Sequence, residues 1–166
     1  NKKYTSQSKV FKQSGSMILA HLGIGLLILG ITGSSVWQEE KIVRMKINDE
    51  TSIRNYNIVL KEINKIPGEN YLAIEGNFFV YDVNKKIIAI LKPENRFYPV
   101  TNITTTEVSI HTNIFRDLYM VLGEGDIDRG WTVRIYYNPL VAWIWIGVFV
   151  IFCGGLLAIK NNLIIL

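Results

Sequence analysis

The sequence predicts a membrane protein in which two transmembrane α-helices flank an extracytoplasmic antiparallel all-β domain, a barrel or a sandwich. A compact barrel of the OB type is one candidate. Three observations predict it. Two blocks, Met17 to Val36 and Leu140 to Ile159, each run 20 residues without a formal charge. The stretch between them alternates apolar and polar residues with a period of two. The charges are divided unevenly between the long central loop and the short flanks. The expected organisation is a basic cytoplasmic segment (1–16), a transmembrane helix (17–37), a periplasmic β-rich domain (38–138), a second transmembrane helix (139–160) and a cytoplasmic tail (161–166).

The first element is basic. Lys2, Lys3, Lys9 and Lys12 precede the first apolar block, and Lys160 follows the second. The other thirteen of the 18 basic residues, and all 14 acidic ones, lie between Gln38 and Pro139. Short lysine-rich flanks stay in the cytoplasm, whereas long loops cross regardless of their charge. The loop therefore belongs outside, in the periplasm of a bacterial inner membrane or its equivalent at the mitochondrial inner membrane. At a rise of about 1.5 Å per residue, a 20-residue block matches the ~30 Å hydrocarbon core. The alternative for each block is a buried core helix. A signal peptide is disfavoured for the first, which is long and lacks a small-x-small cleavage pattern. The chain opens on Asn1 rather than Met, and is expected to be a fragment or processed portion of something longer.

In the loop, Val43, Met45 and Ile47 alternate with Arg44 and Lys46, and Tyr56, Ile58 and Leu60 repeat the spacing. Ala73 to Tyr81 and Ile87 to Leu91 are rich in β-branched and aromatic residues and are joined by a turn at Asn84-Lys85. Val108 to Ile110 is a further short candidate. Trp131, Val133, Ile135 and Tyr137 complete the pattern. Pro67-Gly68 and Gly123 to Gly130 read as turns. Phe115 to Leu122 fits helix or strand, and a short helix is expected there. Asn102-Ile103-Thr104 matches a glycosylation sequon, a pattern short enough to arise by chance.

Around the spans, Trp37, Tyr136, Tyr137, Trp143 and Trp145 gather where an outer headgroup layer would lie, as amphipathic rings do. The single cysteine, Cys153, sits inside the second block. It excludes an internal disulfide, a C-x-x-C thiol exchanger and covalent haem at C-x-x-C-H, and it reads as a packing residue. The pI near 9.1 reflects topology, because no aromatic-lined basic stripe points to nucleic acid.

The loop lacks the ingredients of an enzyme. His111 is its only histidine, read as a surface or hydrogen-bonded side chain. Glu107 and Asp117 fix no geometry, and there is no phosphate loop, nucleophile elbow or H-E-x-x-H. No catalytic residue is assigned. The chemistry-bearing residue is His21, an imidazole one turn inside the first block, about 6 Å from its start. An ionisable group at that depth is a functional-site hypothesis by default. On a helix it shares a face with Gly25, Ile28 and Thr32. A neighbouring stripe of Ala20, Gly23, Leu27, Gly30 and Ser34 would let a second helix or a flat cofactor approach closely. A neutral imidazole can give one nitrogen to a metal and hydrogen-bond through the other. It can equally be structural, bonded to a neighbouring helix. The residues alone leave both open.

Several segments, in order, are similar to the C-terminal region of the CcmF/NrfE family of cytochrome c haem lyases. They are AHLG (Ala20 to Gly23), KPENRFYP (Lys92 to Pro99), Thr106-Glu107, RDLYMVLGE (Arg116 to Glu124), WTVRIYYNP (Trp131 to Pro139) and the WIWIG opening the second span. The resemblance runs from Met17 to Asn161. It implies a polytopic inner-membrane protein that attaches haem to apocytochrome c, haem arriving on the chaperone CcmE and thiols being presented with CcmH/CcmI-type proteins. It also implies a haem b held between transmembrane helices by two histidines. The histidine of AHLG matches one of them, which makes His21 an axial ligand of haem iron and hence a cofactor- and metal-binding residue.

The family's WWD segment and its other transmembrane histidine have no match in this chain, and Trp143-Ile144-Trp145 does not replace the former. The chain is therefore expected to be part of a lyase, inactive alone and partnered by the N-terminal remainder, with membrane lipid around it and no nucleic acid. Asn95 and Asn138 stand where family members often carry a basic residue. Two other readings remain: a non-enzymatic membrane-anchored scaffold that recruits proteins, and a transporter accessory domain, for which no charged midplane pathway exists. Abundant Ile, Asn and Lys fit an AT-rich genome, bacterial endosymbiont or mitochondrial.

Overall fold

The computed structural model describes the backbone of residues 2–163 and the side chains of residues 14–161. The side chains of Lys2, Lys3, Lys9 and Lys12, and most of the 161–166 tail, lie outside the described residues. The chain divides into two compact units, Asn1–Trp37 with Ile114–Arg116 and Pro139–Leu166, and Gln38–Asn113 with Asp117–Asn138.

The first unit is a helix pair, α1 (Lys2–Val36) and α2 (Val141–Leu163). Both contain stretches long and apolar enough to cross a membrane, Ser14–Val36 and Val141–Asn161. Helix α1 continues back beyond Met17 to Lys2, because residues 2–16 contain no proline and only Gly15 opposes helix. Helix α2 starts behind Pro139, and Lys160 in its last turn faces the negative end of the helix dipole. The helices run antiparallel: a Cβ built on Gly23 meets Ile151, one on Gly30 meets Ile144 and one on Gly33 meets Leu140. The contact stripe on α1 is Ser16, Ala20, Gly23, Leu27 and Gly30, with steps of four and three residues, the spacing that keeps one seam of a helix against its neighbour.

The second unit is a two-sheet antiparallel sandwich. One sheet has the order β1 (Glu39–Met45), β10 (Gly130–Pro139), β9 (Arg116–Asp126) and β8 (Ser109–Thr112). The other runs β2 (Glu50–Ile53), β3 (Tyr56–Pro67), β4 (Leu72–Tyr81), β6 (Glu94–Tyr98) and β7 (Ile103–Glu107), with β5 (Ile87–Leu91) also on β4. Strand β4 serves two partners by halves: Leu72 to Glu75 pair with β6, and Phe78 to Tyr81 with β5. The core lies between the sheets. Ile58, Leu60, Phe78 and Val80 come from one and Met45, Leu118, Met120, Leu122, Val133 and Ile135 from the other, all buried. Of the barrel and sandwich alternatives, the strands thus take the sandwich.

One segment departs from expectation. Of Phe115 to Leu122, expected as a short helix, Arg116 to Leu122 belong to β9 and Phe115 sits in the bend before it. Its buried positions are Arg116, Leu118, Met120 and Leu122, alternating with half-buried ones. A charged residue at the first inward position hides that alternation in the sequence, and tertiary pairing on both edges of β9 overrides local preference. The predicted turn at Gly123 to Gly130 is also shorter, since Gly123 and Gly125 lie within β9. They leave room for β10: a Cβ on Gly125 would strike Gly130 and Trp131.

Turns follow side-chain chemistry. The Asp82 carboxylate accepts from the amides of Asn84 at 2.8 Å and Lys86 at 2.9 Å, closing the predicted Asn84-Lys85 turn. Asp126 does the same for the β9–β10 hairpin, accepting from the Arg129 amide at 2.6 Å and the Arg129 side chain at 2.8 Å. These bonds, the backbone one foremost, hold the Asp126 carboxyl below its usual range. A depressed folded value stabilises the turn above the unfolded carboxylate pKa and is lost as pH falls through the folded value. By NMR, the Arg129 amide shift should therefore titrate with a midpoint below the ordinary aspartate value of about 3.9. In Asp126→Asn that titration should vanish.

Candidate functional site

His21 lies on α1, exposed, on the side of the helix away from the seam with α2. The stripe Ala20, Gly23, Leu27 and Gly30 is occupied by α2: a Cβ on Gly147 meets Leu27 and the Gly23 carbonyl, and one on Gly154 meets Ala20. Of the two adjacent stripes in the sequence, the small-residue one thus holds the partner helix, and the histidine-bearing one stays unpartnered by this chain. Gly25, one turn beyond His21, has nothing within 4 Å of a built Cβ.

The imidazole is oriented by its own helix. Its Nδ1–H donates to the Met17 carbonyl at 2.8 Å, four residues back. That bond commits one nitrogen and leaves Nε2 with its lone pair directed outward, the arrangement in which a backbone carbonyl sets the tautomer of a metal-ligating histidine. Among the described residues no group of three or more His, Cys, Asp or Glu side chains gathers to hold a bare metal ion.

The remaining candidates are structural. His111 is half-buried on β8, opposite Leu118, and engaged with a partner. Glu107 meets the Arg96 guanidinium at 3.5 Å, and Asp117 pairs in register with Thr112. Arg96 also binds Glu94 at 2.7 Å and lies over the Tyr71 ring, 4.6 Å from its centroid; the Glu94 hydrogen bond raises its pKa further. Cys153 is free and half-buried on α2. Tyr136 and Tyr137 are on β10 and are used inside the β unit, against Tyr119 and Tyr56 respectively.

Two of the depressions on the β unit are lined as binding surfaces could be. An apolar groove of about 410 Å³ is lined by Ile66, Pro67, Leu72, Ile74 and Phe97, with Lys65 and Asn95 at its side. A second, of about 400 Å³, is lined by Thr106, Tyr119, Val121, Gly123, Thr132, Arg134 and Tyr136. In it Arg134 donates to the Tyr136 hydroxyl, which raises the Arg134 pKa. Neither contains a nucleophile paired with a base. The second is rich in Tyr and Arg, residue types enriched at protein contacts. Sequence reasoning found neither, because each depends on how paired strands set their side chains side by side, which spacing along one strand does not display.

The model of the CcmF C-terminal beta-sandwich family matches residues 36–139. The chain belongs to this family. Among its relatives, the cytochrome c-type biogenesis protein CcmF of Haemophilus influenzae is 36% identical over 156 residues, 93% of this chain and 24% of the relative. CcmF of Escherichia coli K12 is 36% identical over 145 residues, 86% of this chain and 22% of the relative. The H. influenzae protein NrfE, also a cytochrome c-type biogenesis protein, is 31% identical over 143 residues, 86% of this chain and 22% of the relative. This chain thus spans about a quarter of the length of the relatives it matches. A solved structure of the cytochrome c haem lyase CcmF shares the fold, with a TM-score of 0.70 at 17% identity, over 90% of this chain and 25% of that one. The expected C-terminal family membership and the helix-flanked β domain both hold.

Proposed function

We propose that this chain is the C-terminal part of a cytochrome c haem lyase and serves the attachment of haem to apocytochrome c. Its own contribution is one axial ligand, His21, to a haem b at membrane depth, together with an external docking domain. The observation that carries the haem role is the His21 ring: Nδ1–H spent on the Met17 carbonyl, Nε2 exposed, and Gly25 leaving open space one turn on. The residue present fits the group: an exposed imidazole oriented by its Nδ1–H bond to its own helix would hold the haem iron, together with a histidine from the remainder of the protein. When bound, the haem would supply a one-electron centre suited to reducing the substrate haem iron during attachment.

In this reading both helices span the bilayer with their lysine-bearing ends in the cytoplasm, and the sandwich faces the periplasm or its organellar equivalent. Partners are the N-terminal remainder with the WWD segment and the second histidine, the chaperone CcmE, apocytochrome c and CcmH/CcmI-type proteins. The chain alone performs no lyase reaction. The test is genetic. A host lacking this chain should accumulate apocytochrome and lose c-type cytochromes on haem-stained gels, with recovery on re-expression. Undiminished cytochromes would refute the proposal.

A second reading, a non-enzymatic scaffold, is favoured by the two depressions of the β unit, which have binding but no catalytic chemistry. It differs in leaving His21 without a metal.

A further inference from the structure

The segment between β8 and β9 carries two adjacent apolar residues, Ile114 and Phe115, that are 54% and 65% exposed. Single exposed apolar residues are common. The backbone sets this pair apart. The Phe115 carbonyl accepts from the Leu140 amide at 2.9 Å, and the Ile114 carbonyl accepts from the Trp143 indole Nε1–H at 2.8 Å. Both acceptors of the dipeptide are therefore satisfied from within the chain. Water would satisfy them without help, whereas a layer rich in hydrocarbon offers no donor, and an unpaired carbonyl there is costly.

The donors also fix the level of the pair. Leu140 and Trp143 flank the first turn of α2, so Ile114 and Phe115 lie beside the end of a helix long and apolar enough to cross a membrane. Because α1 runs antiparallel, Trp37 stands at the same end, and both Trp37 and Trp145 are exposed. Indoles at one end of such helices mark the headgroup layer. Leu140 makes its bond from a left-handed backbone, φ 58°, uncommon for a bulky residue and retained where surrounding structure over-determines it. Here Pro139 precedes it and its side chain packs over Gly33.

We propose that Ile114 and Phe115 form an interfacial anchor, seated in the headgroup–acyl boundary of the leaflet at the start of α2. The chain would then enter the lipid at three places rather than two. The occupant is lipid, because the pair adjoins the exposed apolar start of a helix long enough to cross a membrane, and its two carbonyls already have the internal donors that hydrocarbon cannot supply. The inference rests on the reading that α1 and α2 span the membrane.

The test places a photoreactive diazirine amino acid at position 114, 115, 149 or 152 of the full chain, reconstituted in phosphatidylethanolamine–phosphatidylglycerol vesicles. Adducts are identified by mass after illumination. Lipid adducts at 114 and 115, at a yield comparable to those at Phe149 and Phe152, are expected. Water addition alone, or a protein crosslink, at 114 and 115 alongside lipid adducts at 149 and 152 would overturn the anchor and leave the spans intact. Absence of lipid at all four positions would overturn the spans and the anchor together.

Discussion

His21→Ala should strip the membrane haem from the assembled protein and stop cytochrome c maturation, while the helix pair and the sandwich stay folded. The side chain is exposed and lies on the side of α1 away from the glycine seam with α2, so truncation should leave no cavity between the helices. In the proposed function, what it removes is the nitrogen that would hold the haem iron. Second-shell changes at metal sites already cost roughly 10–100-fold in affinity or activity, and loss of the ligand itself should exceed that. The optical spectrum separates the two readings of the chain independently of activity. A bis-imidazole, low-spin haem in the wild type should give way in the variant to a five-coordinate spectrum or to none. Added imidazole, which can occupy the vacated axial position, should restore part of the low-spin signal. If the variant instead keeps the wild-type spectrum and matures cytochromes normally, His21 is structural and the scaffold reading stands.

The second large effect lies on the opposite side of the same helix. Gly23→Leu should force α1 and α2 apart. A Cβ at Gly23 would sit 2.7 Å from the Ile151 amide nitrogen and 2.8 Å from the Gly147 carbonyl. Both are backbone atoms, which cannot rotate aside as a side-chain tip can. Overpacking a core commonly costs about 1–3 kcal/mol, and here relief requires the helices to separate along the seam. Close approach through small residues is a principal source of helix association in lipid, where no hydrophobic drive operates between helices. The measurement is denaturation of the chain in mixed micelles, followed by tryptophan fluorescence. The control is Gly25→Leu, two residues away. With nothing within 4 Å of its Cβ, it should leave helix pairing unchanged. The same substitution fills space beside His21 and should lower haem retention. One helix thus carries two glycines with separable duties, and a Gly25→Leu chain that binds haem normally would count against the proposed cofactor face.

These two faces show how far residue patterns reach. Spacing alone put His21 on one stripe and Ala20, Gly23, Leu27 and Gly30 on the next. It offered either stripe to a helix or to a flat cofactor. The coordinates assign the small-residue stripe to α2, because complementary glycines at 147 and 154 let the backbones meet. They also supply the Met17 bond that orients the ring.

In the sandwich, the strands at Val43 to Ile47, Ala73 to Tyr81 and Trp131 to Tyr137 follow from clean alternation over a half-buried surface. The segment from Phe115 to Leu122 did not, because Arg116 occupies an inward position, and a strand with a charged inward residue is indistinguishable by pattern from an amphipathic turn of helix. The tie between Ile114, Phe115 and the start of α2 left no trace in local pattern at all. It joins residues 25 and 29 positions apart through a main-chain amide and an indole N–H.

Residue order by itself determined the two apolar helices, the β character of what lies between, and the place of His21 within the first of those helices. Those properties depend on local periodicity and on runs of uncharged residues, which a linear chain displays directly. Only the folded chain decided which helix face is closed, which nitrogen of His21 is free, how ten strands divide between two sheets, and where a loop returns to the end of α2. Each of those rests on contacts between distant residues, whose geometry exists only once the backbone has been brought together.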